Sequence, residues 1–274
     1  MKNIFVSGSF DNLHSRHIRM LEEASKLGTV TVCLWSDSTV AKIEGKAPKF
    51  PLDERLYILN AVRYAGRVEV CNGADGNADM LPRIAGIQPD VWVVDEKSNN
   101  QAKRSYCDAC GLDYVVITDA TLQKIPDWHL VERNGVSASK KVIVTGCFDW
   151  LHSGHVRFFE EVSELGELYV GVGHDANIRL LKGEWHPLFP EAERRYMVQA
   201  IRFVREAHIT SGHGWMDAEP EIQRLGIDVY AVNEDGDKPE KRAFCAAHGL
   251  EYVVLRRDPA PGLPRRQSTD LRGF

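Results

Sequence analysis

The sequence has no apolar run that approaches the ~18 residues needed to cross a membrane. It also has no excess of positive charge, because 39 Asp and Glu outnumber 34 Lys and Arg and leave a net charge of −5. This balance argues against nucleic-acid binding as the main function. The opening residues, Met1 to Val6, run straight into a strand pattern and leave no room for a signal peptide. We therefore expect no membrane span, no nucleic-acid partner and no secretion signal.

Cysteine is also scarce, with six residues among 274. An apolar content of 43% is enough for an ordinary core, so the fold needs no disulfide framework. We expect these residues to be reduced thiols in a cytoplasmic protein.

The two halves of the chain repeat each other. Residues 4–17 echo residues 142–155, so that His14 and His152 lie 138 positions apart. The echo continues at nearly the same offset as far as Tyr114 and Tyr252. A repeat this regular indicates two copies of one domain. We predict an N-terminal domain over 1–120, a linker over 121–140 and a C-terminal domain over 141–274.

Each copy is predicted to run strand, helix, strand, helix, strand, helix, strand. In the second copy the predicted elements are strands at 141–145, 168–172, 229–232 and 252–255 and helices at 155–165, 192–203 and 239–248. Strands that alternate with helices form a parallel sheet covered on both faces. The expected fold class is therefore α/β, with two tandem domains.

Two pairs of possible metal ligands occur at matching places in the repeat. They are Cys107 with Cys110, and Cys245 with His248. A structural zinc needs four ligands close together, whereas these pairs fall on equivalent helices of separate domains. We therefore predict no metal site there.

The second copy places a strand, a glycine turn and a helix start in succession. The string is Val144-Thr145-Gly146-Cys147-Phe148-Asp149-Trp150-Leu151-His152-Ser153-Gly154-His155. His152 and His155 are three apart and share one face of the first helical turn. Gly154 has no side chain and lets a phosphate approach the backbone. Helix N-termini at a sheet's carboxyl edge bind phosphates, so we predict a phosphate site rather than two ordinary polar residues.

This string resembles the Gly-x-Phe-Asp-x-x-His-x-Gly-His signature of the cytidylyltransferase branch of the nucleotidyltransferase superfamily. Glycerol-3-phosphate, choline-phosphate and ethanolamine-phosphate cytidylyltransferases carry that signature. The resemblance implies Rossmann-like domains and catalytic roles for His152 and His155. It places the nucleotide against Gly146, Cys147, Phe148, Asp149 and Gly154. Asp149 is also expected on the substrate side, orienting either the turn or the first histidine.

The tandem layout resembles ethanolamine-phosphate cytidylyltransferase, whose chain also contains two such domains. Single-domain relatives pair as dimers around the same layer of helices and sheet. The resemblance therefore implies that the two halves pack as an internal pseudo-dimer, with further oligomerisation open.

Three further residues of the second copy match the family's parts. Lys182 corresponds to a catalytic, phosphate-binding lysine on a mobile loop; the alternative is a solvated lysine. Arg194 resembles a nucleotide-binding arginine of a helix, and the alternative is a surface ion pair with Glu191 or Glu193. Trp215 resembles a tryptophan of the acceptor side, and the alternative is a core residue.

Two loops complete the predicted site. Asn233 is expected at the nucleotide, and Glu234 and Asp235 are expected at the substrate, unless this stretch is simply an acidic glycine turn. The C-terminal segment partly resembles the family's Arg-Thr-Glu-Gly-Ile-Ser-Thr-Thr motif. It assigns Ser268 and Thr269 to the nucleotide and Arg265 and Arg266 to the substrate, with the choice between the two arginines open. A frayed polar tail is the alternative.

The first copy departs from the signature at one position. Arg16 replaces the glycine between the histidines, so a long cationic side chain stands where phosphates must approach. We expect the first copy to be degenerate and the second to be catalytic. The segment 133–139 echoes the C-terminal motif and is interpreted as linker.

The resemblance implies transfer of CMP from CTP to a small alcohol that bears a phosphate or phosphonate. Mg²⁺ is expected to accompany the CTP. The tandem layout suggests phosphoethanolamine as the acceptor and the motif suggests glycerol phosphate, so phospholipid or phosphonate biosynthesis is the expected setting. Two alternatives stay open: an adenylyltransferase of the same superfamily, and a non-catalytic nucleotide-binding protein.

Overall fold

The computed structural model describes residues 1–72, 77–126 and 139–271, except the side chains of Thr269 and Asp270. The chain divides into two compact units, Met1–Ile125 and Pro126–Gly273, called here the first and second units. Most of the predicted linker, 127–138, lies outside the described residues, as does most of the segment 133–139. No helix in the described ranges is long and apolar enough to span a membrane.

Each unit is built on one parallel sheet. The first unit consists of strands β1 (Asn3–Gly8), β2 (Thr29–Trp35), β3 (Arg67–Cys71), β4 (Val91–Asp95) and β5 (Asp113–Ile117), and helices α1 (Ser15–Ser25), α2 (Asp37–Glu44), α3 (Leu52–Asn60), α4 (Gln101–Cys110) and α5 (Asp119–Gln123). Helix α5 falls at the start of the predicted linker. The order of strands across the sheet is β3-β2-β1-β4-β5.

The second unit repeats this layout. It consists of strands β6 (Lys141–Gly146), β7 (Glu167–Val172), β8 (Val204–Ile209), β9 (Val229–Asn233) and β10 (Glu251–Leu255), and helices α6 (Ser153–Ser163), α7 (Asp175–Lys182), α8 (Glu191–Gln199), α9 (Glu219–Leu225) and α10 (Pro239–His248). Its strand order, β10-β9-β6-β7-β8, is that of the first sheet read from the other edge. The predicted α/β class and the duplication are confirmed.

The burial of the central strand β6 explains why its apolar pattern was clear in the sequence. Val142, Ile143 and Val144 of β6 are all buried, as expected for a strand covered on both faces. Helix α6 buries Val156, Phe159 and Val162, which recur at the spacing of one helical face. This packing fixes the helix start directly above the end of β6.

The prediction of four strands per copy was wrong, because each sheet has five. The missed strands, β3 and β8, lie at sheet edges and each pairs with one neighbour. Strand β8 reads Val-Arg-Glu-Ala-His-Ile, so charged residues interrupt its apolar pattern. The helix predicted over 192–203 ends at Gln199, which leaves room for this strand.

A buried arginine connects three loops at the carboxyl edge of the second sheet. Arg194 is 1% exposed, which excludes the alternative of a surface ion pair with Glu191 or Glu193. Its Nε donates to the Phe189 carbonyl at 2.9 Å, and Nη1 donates to the Cys147 carbonyl at 2.5 Å. Its Nη2 donates to the Gly173 carbonyl and to Asp175, both at 2.7 Å.

The first unit contains the same arrangement around Arg55. This guanidinium donates to the carbonyls of Phe50, Ser9 and Trp35 and to Asp37, at 2.6 to 3.0 Å. Both units keep this buried network, although the residue between the two histidines differs, being Arg16 in the first unit and Gly154 in the second. The arginine is therefore part of the scaffold.

Replacing Arg194 with Met should destabilise the second unit. The change leaves buried carbonyls and Asp175 without a donor, which we expect to lower the free energy of unfolding by about 3 kcal/mol. Urea denaturation followed by tryptophan fluorescence measures it. Arg179→Met, at an exposed position of α7, is the control and should stay within about 0.5 kcal/mol of the parent. Equal stabilities for the two variants would contradict the scaffold role.

Candidate active site of the second unit

A cavity of about 420 Å³ opens at the carboxyl edge of the second sheet. The predicted site residues that line it are Gly146, Cys147, Phe148, Asp149, Gly154, His155, Lys182, Trp215, Asn233, Asp235 and Ser268. The structure thus brings together the glycine turn, the end of α7 and the loop after β9. Five predicted residues do not line the cavity: His152, Arg194, Glu234, Arg265 and Arg266. The side chain of Thr269 lies outside the described residues.

His152 is the N-terminal cap of α6. It is fully buried, and its Nδ1 accepts a hydrogen bond from the Gly154 N–H at 3.1 Å. This bond makes Nδ1 the acceptor, so the ring hydrogen is on Nε2 in the neutral form. Nε2 is buried and has no hydrogen-bond partner among the described residues. His152 therefore supports the helix start from behind the cavity wall.

His155 is the imidazole that faces the cavity. Its ring stacks on that of His152, with centroids 3.9 Å apart and planes 22° from parallel. Phe148 packs edge-on against it at 5.2 Å. Its Nδ1 is buried without a partner in the part of the chain that is described. The prediction that both histidines share one face of the helix start is consistent with this stacking.

Burial determines the charge of both imidazoles in the free protein. It lowers the pKa of His155 to about 3, helped by the positive charges of Arg257 and Lys182. Burial, then the neighbouring His155, lowers the pKa of His152 well below its ordinary value. Both rings are therefore neutral at pH 7 in the free protein.

Gly154 has a second reason to be glycine. A Cβ at this position would lie 3.0 Å from Cε1 of His152 and 3.6 Å from the Arg266 carbonyl oxygen. The His152 ring thus occupies the space beside the bare backbone. The same glycine borders the cavity, so both the helix cap and the open approach to the backbone depend on it.

The turn before α6 is tightly constrained. Phe148 has a φ of 52°, in the left-handed region that non-glycine residues rarely adopt. A Cβ on Gly146 would lie 2.8 Å from the Phe148 ring, so that position must be small. Cys147 is buried, and burial raises the pKa of its thiol. The thiol is therefore uncharged at pH 7.

Asp149 holds a loop. Its carboxylate accepts hydrogen bonds from the N–H groups of Leu188 and Phe189 at 2.8 to 3.0 Å. Asp11 of the first unit binds the N–H groups of Lys49 and Phe50 in the same way. The contacts of Asp149 therefore point to a role in the scaffold, at the segment that follows Lys182 in the chain.

Four cationic side chains surround the cavity, and sequence reasoning found one of them. Lys182 is exposed at the C-terminal end of α7, where it lines the cavity as predicted. Lys238, Lys241 and Arg257 were missed. Arg257 forms an ion pair with Asp235. Arg257 follows the carboxyl end of β10 by two residues, and ligand-binding residues of parallel sheets are found at such strand ends, so its position could have indicated a role in the site.

The predicted substrate residues occupy different places. Trp215 lies at the cavity, 44% exposed, and its ring centroid is 4.9 Å from the Lys238 ammonium. Glu234 pairs with Arg265 at 3.6 Å, outside the cavity lining. The Arg266 carbonyl accepts from Nη2 of Arg257 at 3.2 Å. Neither predicted arginine lines the cavity, whereas Arg257 does.

Asn233 and Ser268 present polar atoms to the site. Asn233 ends β9, and its buried Oδ1 has no hydrogen-bond partner within the described ranges. Ser268 begins a short 3-10 helix, Ser268–Leu271, and its hydroxyl lies 3.5 Å from the Trp150 carbonyl. Gln267, which was not predicted, lines the cavity beside it.

The equivalent place in the first unit is filled by its own side chains. Arg16, at the position of Gly154, forms ion pairs with Asp95 at 2.9 Å and with Asp119. His17 Nδ1 accepts from the His14 N–H at 3.3 Å. The cation that replaces the glycine is thus neutralised by two carboxylates instead of being presented to a ligand.

The stability of the second unit should fall as the pH is lowered. The pKa of His155 is about 3 when folded and about 6.5 when unfolded, so the unfolded chain binds more protons between these values. Stability is fully present above about pH 6.5 and is lost towards pH 3, by up to about 1.4 kcal/mol per pH unit for each such histidine. We expect His155→Gln to reduce this loss between pH 7 and 5.

Urea denaturation at the two pH values, following the transition of the second unit, measures the effect. His213→Gln, which replaces an exposed histidine, is the matched control. An unchanged slope in His155→Gln would show that His155 is not the group responsible.

The sequence was compared with known proteins. It matches the cytidylyltransferase-like family over residues 5–141 and again over 143–259. The FAD synthase of Thermococcus kodakarensis is 40% identical over 119 residues, covering 42% of this chain and 78% of the relative. The bifunctional protein HldE of Citrifermentans bemidjiense is 42% identical over 74 residues, covering 27% of this chain and only 15% of the relative.

Among solved structures, a lipopolysaccharide core biosynthesis protein from Thermoplasma volcanium matches 44% of this chain and 98% of its own, with 25% identity and a TM-score of 0.38. The family match spans both units and includes the signature string in each. The chain belongs to the cytidylyltransferase-like family of the nucleotidyltransferase superfamily.

Proposed function

We propose that the second unit transfers a nucleotidyl group from CTP to a small acceptor that bears a phosphate or phosphonate. An acceptor oxygen forms a bond to the α-phosphorus, and the bond between that phosphorus and the bridging oxygen to the β-phosphate breaks. Pyrophosphate leaves with the electron pair of that bond. The observation that carries the proposal is the imidazole pair stacked at the start of α6, beside Gly154, at a cavity that Lys182 and Arg257 also line.

The acceptor needs little activation. A phosphate monoester has a second pKa near ~6, so most of it is dianionic at pH 7 and no general base is required. The protein has to align two anions and to stabilise the charge that develops on the α-phosphate and pyrophosphate. The N-terminus of α6, the exposed ammonium of Lys182 and the guanidinium of Arg257 supply positive potential around one cavity.

The two histidines then have different roles. His155 lines the cavity and would donate to a phosphate oxygen as a neutral imidazole. His152 is buried behind it and acts as a positioning residue, because it caps the helix and supports the stacked ring. Asn233 offers its unpartnered Oδ1 to a donor of the nucleotide, such as a ribose hydroxyl.

The choice of base has two candidates. Membership of the cytidylyltransferase-like family supports CTP. The similarity to FAD synthase favours ATP as the second candidate, because that relative's name denotes formation of an adenine dinucleotide. Both reactions use a phosphate-bearing acceptor and the same attack on an α-phosphorus. Phosphoethanolamine, glycerol phosphate and phosphonates remain the proposed acceptors for the CTP reaction.

Mg²⁺ is proposed as a partner of the triphosphate. Within the described residues no three His, Cys, Asp or Glu side chains come together as a metal site would require. Phosphate oxygens would therefore hold the ion, which is a usual arrangement for Mg²⁺. The six cysteines are free, in keeping with the proposal of a cytoplasmic location.

One nucleotide should bind per chain. Arg16 and its two carboxylates occupy the place in the first unit that the second leaves for a phosphate. Isothermal titration with CTP, and with ATP, should give a stoichiometry of one. His17→Ala should preserve this value and Lys182→Met should weaken the binding. Two equivalent sites would contradict the assignment of the first unit as degenerate.

His155→Ala should lower kcat far more than it weakens nucleotide binding. A donor that acts mainly on the charge developed in the transition state contributes about 10²- to 10³-fold to kcat. Pyrophosphate release is measured with each of the four nucleotides against a panel of phospho-alcohols, phosphonates and flavin mononucleotide. His17→Ala in the first unit is the matched control and should keep the parent rate. An unchanged rate in His155→Ala would end the proposal.

A further inference from the structure

The second unit buries a lysine that has no carboxylate partner among the described residues. Lys241 of α10 is 6% exposed and lines the 420 Å³ cavity. Its Nζ lies 3.4 Å from the Thr145 hydroxyl and 5.2 Å from the centroid of the Tyr230 ring. In the described part of the chain no carboxylate is within ion-pair distance of it. A hydroxyl at 3.4 Å is a weak partner for an ammonium, which has three hydrogens to donate.

The first unit shows the same lysine with a partner. Lys103 lies 138 positions earlier and is also 6% exposed. Its Nζ donates to the Ser98 carbonyl at 2.7 Å and pairs with Asp79 at 3.2 Å. In the unit where Arg16 fills the phosphate position, this lysine is therefore satisfied by the protein itself.

The corresponding carboxylate of the second unit bonds to a hydroxyl group and not to the lysine. Asp217, which matches Asp79, accepts from the Thr210 hydroxyl at 2.7 Å. It acts on Lys241 only at longer range, where it opposes the effect of burial, which lowers the pKa of the lysine. An ammonium buried without a counter-charge is unfavourable unless a ligand supplies one. The second unit thus leaves a positive charge available at the cavity.

Lys241 lies on a different element from the groups proposed for the nucleotide phosphates: it belongs to α10, whereas His155 lies on α6, Lys182 on α7 and Arg257 after β10. Thr145 immediately precedes Gly146, so Lys241 lies where the central strand enters the glycine turn. Lys238 is the N-cap residue of the same helix, and its ammonium lies over the Trp215 ring. Lys238 therefore contacts the predicted acceptor-side tryptophan, and Lys241 follows it in the first turn of α10.

We propose that Lys241 binds the acceptor's phosphate or phosphonate, while His155, Lys182 and Arg257 bind the nucleotide's phosphates. This inference rests on the proposed function and names the substrate class more closely. The acceptor carries a tetrahedral dianion, which neutralises the buried ammonium on arrival. Uncharged alcohols leave the charge unpaired and are not acceptors.

Binding of small anions to the full-length protein tests the proposal. The protein is saturated with α,β-methylene CTP, or the ATP analogue if ATP is the nucleotide that binds. Methyl phosphate or methylphosphonate is then titrated and followed by ³¹P NMR. Lys241→Met should weaken binding of the small anion at least about tenfold, the effect expected for loss of a charge-assisted hydrogen bond. It should leave the analogue's Kd within about twofold of the parent value.

Two further variants make the result specific. Lys103→Met removes the matched lysine of the first unit and should change neither Kd. Lys241→Arg keeps the positive charge and should retain part of the anion binding. If Lys241→Met does not fold, as judged by its unfolding transition, Lys241→Gln replaces it in the titrations.

The outcomes separate this inference from the proposed function. A parent protein that binds neither nucleotide analogue contradicts both. Binding of the analogue with unchanged binding of methyl phosphate in Lys241→Met overturns the inference alone. So does a loss of analogue affinity in Lys241→Met as large as that in Lys182→Met, because Lys241 would then belong to the triphosphate site.

Discussion

The second unit depends on one buried guanidinium. Arg194 donates to carbonyls of the glycine turn, of the segment after β7 and of the loop before α8. Buried carbonyls need donors, and an arginine can serve several at once because its guanidinium carries five N–H groups in a plane. The carboxylate of Asp149 also holds the loop before α8, because it accepts hydrogen bonds from the N–H groups of Leu188 and Phe189. The strained turn at Phe148, and with it the ring that packs on His155, is held in place by this network.

The sequence was sufficient for the fold class, the duplication and the centre of the site. Those features depend on buried central strands and on short-range spacing, both of which are visible in a linear pattern. It was insufficient for the edge strands, because β8 interleaves charged residues and gains its stability from pairing with β7. The domain boundaries predicted for the linker stay a prediction, as does the packing of the halves as a pseudo-dimer.

Side-chain partners were the hardest feature to predict. Arg194 matches a family position, yet its contacts are with three backbone carbonyls and with Asp175. Arg257 and Lys241 line the cavity although they lie outside the signature. The residue type alone does not say whether a cation is neutralised internally: Lys103 and Lys241 are matched in sequence and in burial, and only the first has a carboxylate in contact. That distinction depends on where Asp79 and Asp217 point.

The unpartnered polar atoms of the second unit have a consequence for how the two halves share stability. Nε2 of His152, Nδ1 of His155 and Oδ1 of Asn233 are buried without partners among the described residues, and each such group disfavours folding by about 1 to 3 kcal/mol. In the first unit, Arg16 pairs with Asp95 and Lys103 pairs with Asp79, so these two cations already have protein partners. A buried atom without a partner lowers the stability of the fold that holds it, and any ligand that pairs with such an atom stabilises the folded state by mass action. A ligand that pairs with His155 and Asn233 is therefore expected to raise the stability of the second unit by more than that of the first.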